Sequence, residues 1–363
     1  MSILIFIAVL FVLVLVHEFG HFITAKWSKM RVDEFAIGFP PRIFSWTRGE
    51  TTYALNALPL GGYVRIYGEN GEDAETPDTP RAFAHRPKHL QAIVLVAGVT
   101  MNILLAFVLY TTTYLIGVTV SVPEEERGAH TELAVASIVA GGPAAEAGIL
   151  SSDRILSLTA QDGDSAERTP SAVASFIRER EGEELTLTYM RNGVEQRSTL
   201  TPRMLEAQDG TSAPRVGFVT GLIETRTYPF FEAVRAGAGD TWHGTIRIAE
   251  GIGTLLVRTV QGKASMNDVT GPIGIAGLVG DASRFGFTAI LTFTAFISLN
   301  LAVINMLPIP ALDGGRLVMV GIEAIIRRPL NQRFVANANL AGFALLMLLM
   351  LFVTVGDISR LIK

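Results

Sequence analysis

The chain has 363 residues, of which 49% are hydrophobic and only 18% charged, with a net charge of −4 and no cysteine. Soluble domains carry about 25% charged residues, so this composition, with a mean hydropathy of +0.38, describes a membrane protein with a water-exposed portion. The acidic balance argues against nucleic acid as a partner, which needs a concentrated basic surface. The absence of cysteine excludes disulfides, thiolate nucleophiles and cysteine metal ligands.

The first element is an apolar run, Met1–His17, that continues to Thr24 past one acid. It lacks the basic start and small-residue cleavage site of a signal peptide, so it reads as a membrane helix. His17, Glu18 and His21 interrupt it. Each ionisable group costs a few kcal/mol inside a bilayer, and the run is long enough to cross only if these three face protein or a water-filled cavity. The pattern is His-Glu-x-x-His. On a helix, residues i and i+4 share a face, so two imidazoles can hold one metal ion while Glu18 reaches its bound water. Zinc suits imidazole and carboxylate donors. The plainer reading is a pair of histidines hydrogen-bonded between helices with Glu18 as counter-charge, and the cost of burial weighs against it.

Next, Phe35–Glu69 alternates aromatic and β-branched residues around a Thr-Arg-Gly-Glu turn, with Gly61 and Gly62 marking a bend or bulge. Hydropathy alone does not put this β-hairpin at membrane depth, so a small cytoplasmic decoration remains an alternative. The acidic, proline-bearing stretch Asn70–Phe83 reads as a solvated loop. A second uncharged run covers Leu90–Pro123 and gives way to the acidic Pro123–His130. The following segment holds one compact domain: strand, turn, short helix and strand over Val135–Leu158, an amphipathic helix over Ser171–Arg180, then two strands joined at Arg191-Asn192-Gly193. Tyr228–Val260 has helical periodicity and reads as an amphipathic helix at the outer surface. Phe285–Leu312 and Phe334–Gly356 are the third and fourth uncharged runs. Lys26, Lys29, Arg31, Arg42, Arg48, Arg81, Arg86 and Lys88 lie between the first and second runs, and Arg316, Arg327, Arg328 and Arg333 between the third and fourth. Positive-inside bias puts both connections in the cytoplasm, with the long middle segment and both termini outside.

Catalytic zinc takes three protein ligands, and the first span supplies two. Asp313 is the only acid between Arg284 and Glu323. The stretch before it, Leu307–Leu312, contains Pro308 and Pro310 and cannot be regular helix, so its backbone must line a cavity or pack on protein. Asp313 also sits where a helix N-cap belongs, and the sequence does not separate capping from ligation.

His-Glu-x-x-His in the first span, Asn305–Gly315 (Asn-Met-Leu-Pro-Ile-Pro-Ala-Leu-Asp-Gly-Gly) in a late one, and a domain resembling a PDZ domain over Leu133–Pro202 between them make the chain similar to the site-2 protease family of intramembrane zinc metalloproteases, in its bacterial regulator-of-sigma-E branch. The resemblance implies a polytopic α-helical membrane protein with four transmembrane helices, a membrane-associated β-hairpin and an inserted α+β PDZ domain. The implied plan is a first transmembrane helix in 1–30, a cytoplasmic-side re-entrant hairpin and loop in 31–89, a second helix in 90–123, an extracytoplasmic PDZ domain in 124–220, an amphipathic helix and linker in 221–284, a third transmembrane helix with the Leu-Asp-Gly-Gly motif in 285–332, and a fourth in 333–363. His17, His21 and Asp313 match the family's zinc ligands and Glu18 its catalytic glutamate. Asn305, Asn102 and the hairpin residues Gly61 and Gly62 match substrate-binding positions. Asn102 belongs to a motif that usually reads Gly-Pro-x-x-Asn; here Gly98 is followed by Val99, and the asparagine sits one residue later. An ordinary interhelical hydrogen bond is the other reading of Asn102. Thr270–Leu278 matches a family segment without an evident role.

The implied activity is zinc-dependent cleavage of single-span membrane substrates, of the anti-sigma-factor or signal-peptide-remnant type, after a site-1 protease has removed their outer domain. The implied setting is the bilayer of the bacterial inner membrane, with the site near its cytoplasmic side. The enteric-type members carry two tandem PDZ domains and this chain has room for one, so filtering of substrates by size is expected to differ. A non-catalytic scaffold that captures peptide C-termini is the alternative, and an intact Glu18 argues against it. A zinc carrier would need acids or histidines across several spans, and the fourth offers only two asparagines. His85, His89, His130 and His243 have no ligand-spaced partner and read as surface or interface residues.

Overall fold

The computed structural model describes residues 2–69, 79–139, 141–191, 193–206, 212–263 and 269–362. The chain divides into two compact units, Met1–Thr113 with Phe230–Lys363, and Tyr114–Pro229. The acidic stretch expected to be a loop lies largely outside the described residues, as does Asn192 of the hairpin turn.

In the first unit, helix α1 (Ser2–Trp27) carries the interrupted apolar run. It ends where Lys29 turns left-handed (φ 56°) and the Met30 N–H returns to the Ala25 carbonyl at 2.9 Å, which closes the last turn. Strands β1 (Val32–Arg48) and β2 (Thr51–Ile66) form more than a hairpin. Glu34–Ile37 has Thr52–Leu55 on one side and Gly62–Arg65 on the other, while Phe44–Arg48 pairs with Thr51–Leu55. Each long strand thus folds back on itself, and Gly62–Ile66 becomes an edge lying against α1. Arg81 and Lys26 hold the Glu50 carboxyl, in the β1–β2 turn, down to about 2, which clips the turn to the end of α1.

Helix α2 (Lys88–Ile116) is shorter than the uncharged run that announced it. Gly117, at φ 132°, ends it, and the β-branched Val118–Val122 becomes strand β3. In the second unit β3 joins a six-stranded sheet with β4 (Glu132–Ile138), β5 (Arg154–Ala160), β6 (Leu185–Arg191), β7 (Val194–Leu200) and β10 (Phe218–Arg226), in the order β3-β10-β4-β5-β6-β7. A separate hairpin pairs β8 (Arg203–Glu206) with β9 (Ser212–Arg215). Short α3 (Pro143–Glu146) and α4 (Pro170–Arg178) complete the unit. Thr169 caps α4 by accepting from the Ala172 N–H, and its apolar face, Val173, Phe176 and Ile177, joins Leu158, Leu185, Leu187 and Leu222 in one core. The domain is therefore wider than the 124–220 read from sequence, because β3 pairs with β10 from Val118 opposite Arg226 to Val122 opposite Leu222.

The first unit resumes with α5 (Phe230–Val260), α6 (Pro272–Arg284), α7 (Phe287–Asn305), α8 (Asp313–Ile326) and α9 (Gln332–Ile362). The expected third span, 285–332, is two helices, because Pro308 and Pro310 break the ladder between α7 and α8. Among the described residues, four helices are long and apolar enough to cross a membrane: α1, α2, α7 and α9. Helix α5 packs against two of these helices. A Cβ on Gly237 would meet Thr111 Oγ1 of α2 at 2.4 Å, one on Gly244 would meet Leu299 of α7 at 2.9 Å, and Ile248 joins Ala106, Ala295 and Leu299 in a buried cluster. Small residues on its inner stripe let α5 run down alongside two apolar helices, which periodicity alone does not separate from an interfacial helix.

The Thr270–Leu278 segment acquires a structural role. It starts α6, whose Gly271 and Gly274 N–H groups donate to the Asp357 carboxylate of α9 at 3.1 and 2.8 Å. Asp357 is buried, so it caps α6 from another helix. Asp357→Ala is expected to cost about 1–3 kcal/mol, the penalty for orphaning buried donors. Thermal unfolding in detergent checks this, with Asp357→Asn, which keeps one acceptor, falling between the variant and wild type.

Candidate metal centre

His17 and His21 are both buried on the side of α1 that faces α2 and α7, one helical turn apart. Their Nε2 atoms approach to 3.2 Å, with the rings nearly perpendicular at 79°. Asp313, the first residue of α8, brings Oδ2 to 3.1 Å from His17 Nε2 and 3.4 Å from His21 Nε2. The helix N-cap is Leu312, so the expected capping role of Asp313 falls away and its carboxylate turns to the histidines. That oxygen is buried yet receives no properly aligned hydrogen bond. Three donor atoms spaced 3.1–3.4 Å apart match the edges of a tetrahedron around a cation with bonds of about 2.0–2.1 Å, whose edges are about 3.3 Å. Lone pairs facing one point repel unless a cation lies between them, so the three residues fit zinc.

The surroundings orient the two imidazoles. The Val94 carbonyl lies 2.8 Å from His21 Nδ1 and can only accept, so Nδ1 carries the proton and Nε2 offers its lone pair. His17 Nδ1 lies 3.2 Å from the Asn102 amide. Asn102 Oδ1 is buried without a partner. The two ends of an amide are alike in size, and turning it brings Oδ1 onto the Nδ1–H of His17, which leaves His17 Nε2 with its lone pair. Asn102 is wholly buried behind the imidazole, and its own carbonyl accepts from Ser298 Oγ at 2.7 Å. It therefore lies against His17, in keeping with the interhelical hydrogen bond that was the other reading of Asn102. Asn305 does reach the centre: its Nδ2 is 3.4 Å from His17 Nε2.

Glu18 points to the β-sheet. Its Oε2 accepts from the Val64 N–H at 3.1 Å. Neighbouring residues of a strand alternate the direction of their N–H and C=O groups, so the outward groups of Gly62 and Val64 face α1. Gly62 cannot carry a side chain there, since a Cβ would lie 2.7 Å from the Ala36 carbonyl; at Gly61 (φ 142°) a Cβ would touch Phe39 and Val14 at 3.3 Å. Gly62 thus lets β2 close on β1, and Gly61 seats the sheet edge against Val14 of α1.

Two features escaped the sequence reading. Val94 acts through its carbonyl, which leaves no residue signature. Gly98 lies against the metal pocket, where a Cβ would sit 2.4 Å from His21 Nε2 and 2.8 Å from His17 Nε2; its place in the glycine–asparagine motif was the available signal. His85, His89, His130 and His243 stay outside the only His/Cys/Asp/Glu group among the described residues that could hold a metal.

Two imidazoles and a carboxylate thus gather at one point beside a glutamate, set within apolar helices, as a donor group that could hold a metal. The chain belongs to peptidase family M50, the site-2 protease family, whose profile matches residues 5–349. Its relatives include the zinc metalloprotease RasP of Oceanobacillus iheyensis, 31% identical over 98% of this chain and 98% of the relative. RasP of Bacillus licheniformis is 29% identical over 99% of each. A protein of Clostridium acetobutylicum, provisionally named a zinc metalloprotease, is 32% identical over 96% of this chain and 94% of its own. The protein is thus an integral membrane zinc metalloprotease, and the scaffold and carrier readings are set aside.

Proposed function

We propose that His17, His21 and Asp313 hold the catalytic zinc, that Glu18 is the general base, and that the enzyme cuts single-span membrane substrates after a site-1 protease has trimmed their outer domain. The observation that carries this reading is the convergence of three buried donor atoms on one point beside the Glu18 carboxylate. Zinc, when bound, polarises the scissile carbonyl and lowers the pKa of a water to about 7. Glu18 takes the proton of the attacking water and returns it to the leaving amine nitrogen. The Asn305 amide donates to the substrate carbonyl oxygen as negative charge gathers there.

A peptide bond inside a helix is shielded while its carbonyl is tied into the ladder. The outward Gly62 N–H and C=O and the Val64 C=O take an unwound substrate segment as an added strand, which extends it beside the metal, while the Val64 N–H stays with Glu18. The four apolar helices cross the bilayer, α5 leans along two of them, and the site opens near the cytoplasmic face. Residues 114–229 form a single PDZ-type domain outside the cell membrane that screens substrates. Positive-inside bias supports this orientation.

The test compares two forms of one single-span substrate, with and without a folded outer domain, using the purified full chain in detergent loaded with zinc. The trimmed form is expected to be cut at least tenfold faster. Equal rates would remove the requirement for prior trimming, and no cleavage of either by zinc-loaded enzyme would sink the substrate class.

A further inference from the structure

The asparagines of the last helix have no part in the chemistry above, yet one of them touches the turn that delivers Asp313. Between α7 and α8 the chain passes through Pro308 and Pro310 to Ala311, whose φ is 75°. That left-handed conformation is disfavoured for a residue with a Cβ. The Ala311 N–H donates to Asn339 Oδ1 of α9 at 3.2 Å. Close by, Gly342 is buried against the same turn, and a Cβ there would lie 2.1 Å from the Pro310 carbonyl oxygen. Helix α9 therefore presses its backbone on Pro310 and takes the N–H of the next residue. The neighbouring amides bond locally, Ile309 to the Leu307 carbonyl at 2.7 Å and Leu312 to that of Ile309 at 3.1 Å. The acceptor that Asn339 supplies is set for the Ala311 N–H in this conformation, so it favours the strained form of the turn over its relaxed alternatives.

We propose that Asn339 is a positioning residue for the zinc site. It holds Ala311 left-handed, and the two-residue step from Ala311 to Asp313 converts that conformation into the place where the carboxylate meets His17 and His21. The inference rests on Asp313 being a zinc ligand.

The experiment measures zinc affinity by chelator competition on the full chain in detergent, for wild type, Asn339→Ala, Asn339→Asp, Asp313→Ala, and Asn339→Ala combined with Ala311→Gly. Asn339→Ala is expected to weaken zinc binding about 10-fold or more, the range for partners behind a metal ligand. Asn339→Asp, which keeps the acceptor, is expected to hold zinc as wild type does. Adding Ala311→Gly is expected to recover most of the loss, because glycine adopts positive φ without penalty. A brace that merely stabilises the fold would lower the unfolding temperature of Asn339→Ala and leave zinc affinity intact, with nothing for glycine to rescue; that result overturns the proposal. If Asp313→Ala kept zinc, the ligand assignment itself would fall. If Asp313→Ala lost zinc while Asn339→Ala kept it, the positioning role alone would fall.

Discussion

Glu18→Gln is expected to abolish cleavage while leaving about one zinc bound per chain. Glutamine has the shape of glutamate and still offers an oxygen to the Val64 N–H, which Glu18 accepts at 3.1 Å, so the sheet edge keeps its seat on α1. What it lacks is a basic oxygen. Positioned general bases contribute about 10²–10⁴-fold, and a loss of roughly 10³-fold is expected on a trimmed single-span substrate. Zinc should persist because the donor group is His17, His21 and Asp313, without Glu18. Alanine at any of those three should instead remove the metal, since each leaves only two protein ligands where catalytic zinc takes three. Metal analysis alongside the cleavage assay separates the two kinds of loss. A Glu18→Gln enzyme that cut as fast as wild type would refute Glu18 as the base, and one that lost its zinc would make Glu18 a ligand.

The parts of the site that could be read in advance are those where a costly side chain stands in an apolar run. His17, Glu18 and His21 interrupt a helix that is otherwise hydrocarbon-like, and helical spacing alone puts the two imidazoles on one face. Asp313 stood out for the same reason, with Pro308 and Pro310 announcing the break before it. The structure then parts from the sequence where backbone, not side chain, makes the contact. The Val94 carbonyl that fixes the tautomer of His21 could belong to any residue type. The strand that folds back twice was read as a hairpin, because alternation reports a pleated surface and not how many neighbours each segment has. Periodicity found α5 and its apolar stripe but could not tell a bilayer surface from two neighbouring helices. Asn102 carried two readings, a substrate contact and an interhelical hydrogen bond, and only the fold shows it buried beside His17. In the second unit, the ends of the domain were missed because β3 and β10 are far apart in sequence and pair only in the folded sheet.

Gly98→Ala is expected to disable the site as thoroughly as loss of a ligand, although it adds one methyl group and removes nothing. Its Cβ would stand 2.4 Å from His21 Nε2, 2.7 Å from His17 Cε1 and 2.8 Å from His17 Nε2, all closer than non-bonded atoms approach. Neither ring can swing away cheaply while keeping its geometry. His21 is tethered through Nδ1 to the Val94 carbonyl on the same helix as Gly98, and His17 is held from behind by Asn102. Relief must therefore come from rotating the imidazoles off the metal or from separating α1 and α2. Separation would open a contact in which a Cβ on Gly20 would already lie 2.6 Å from the Ala97 carbonyl. Overpacking of this kind costs about 1–3 kcal/mol in a well-packed core. The metal-free protein can spread that cost by letting the rings turn, whereas the zinc-bound form cannot. The penalty should fall on zinc affinity, by about 100-fold or more, with a smaller change in the unfolding temperature of the metal-free protein. Chelator competition and metal-free thermal unfolding, run on the same preparation, test both halves. Wild-type zinc affinity in Gly98→Ala would mean that α2 does not press on the ligands, and equal losses in both measurements would mean that it matters for the fold and not for the metal.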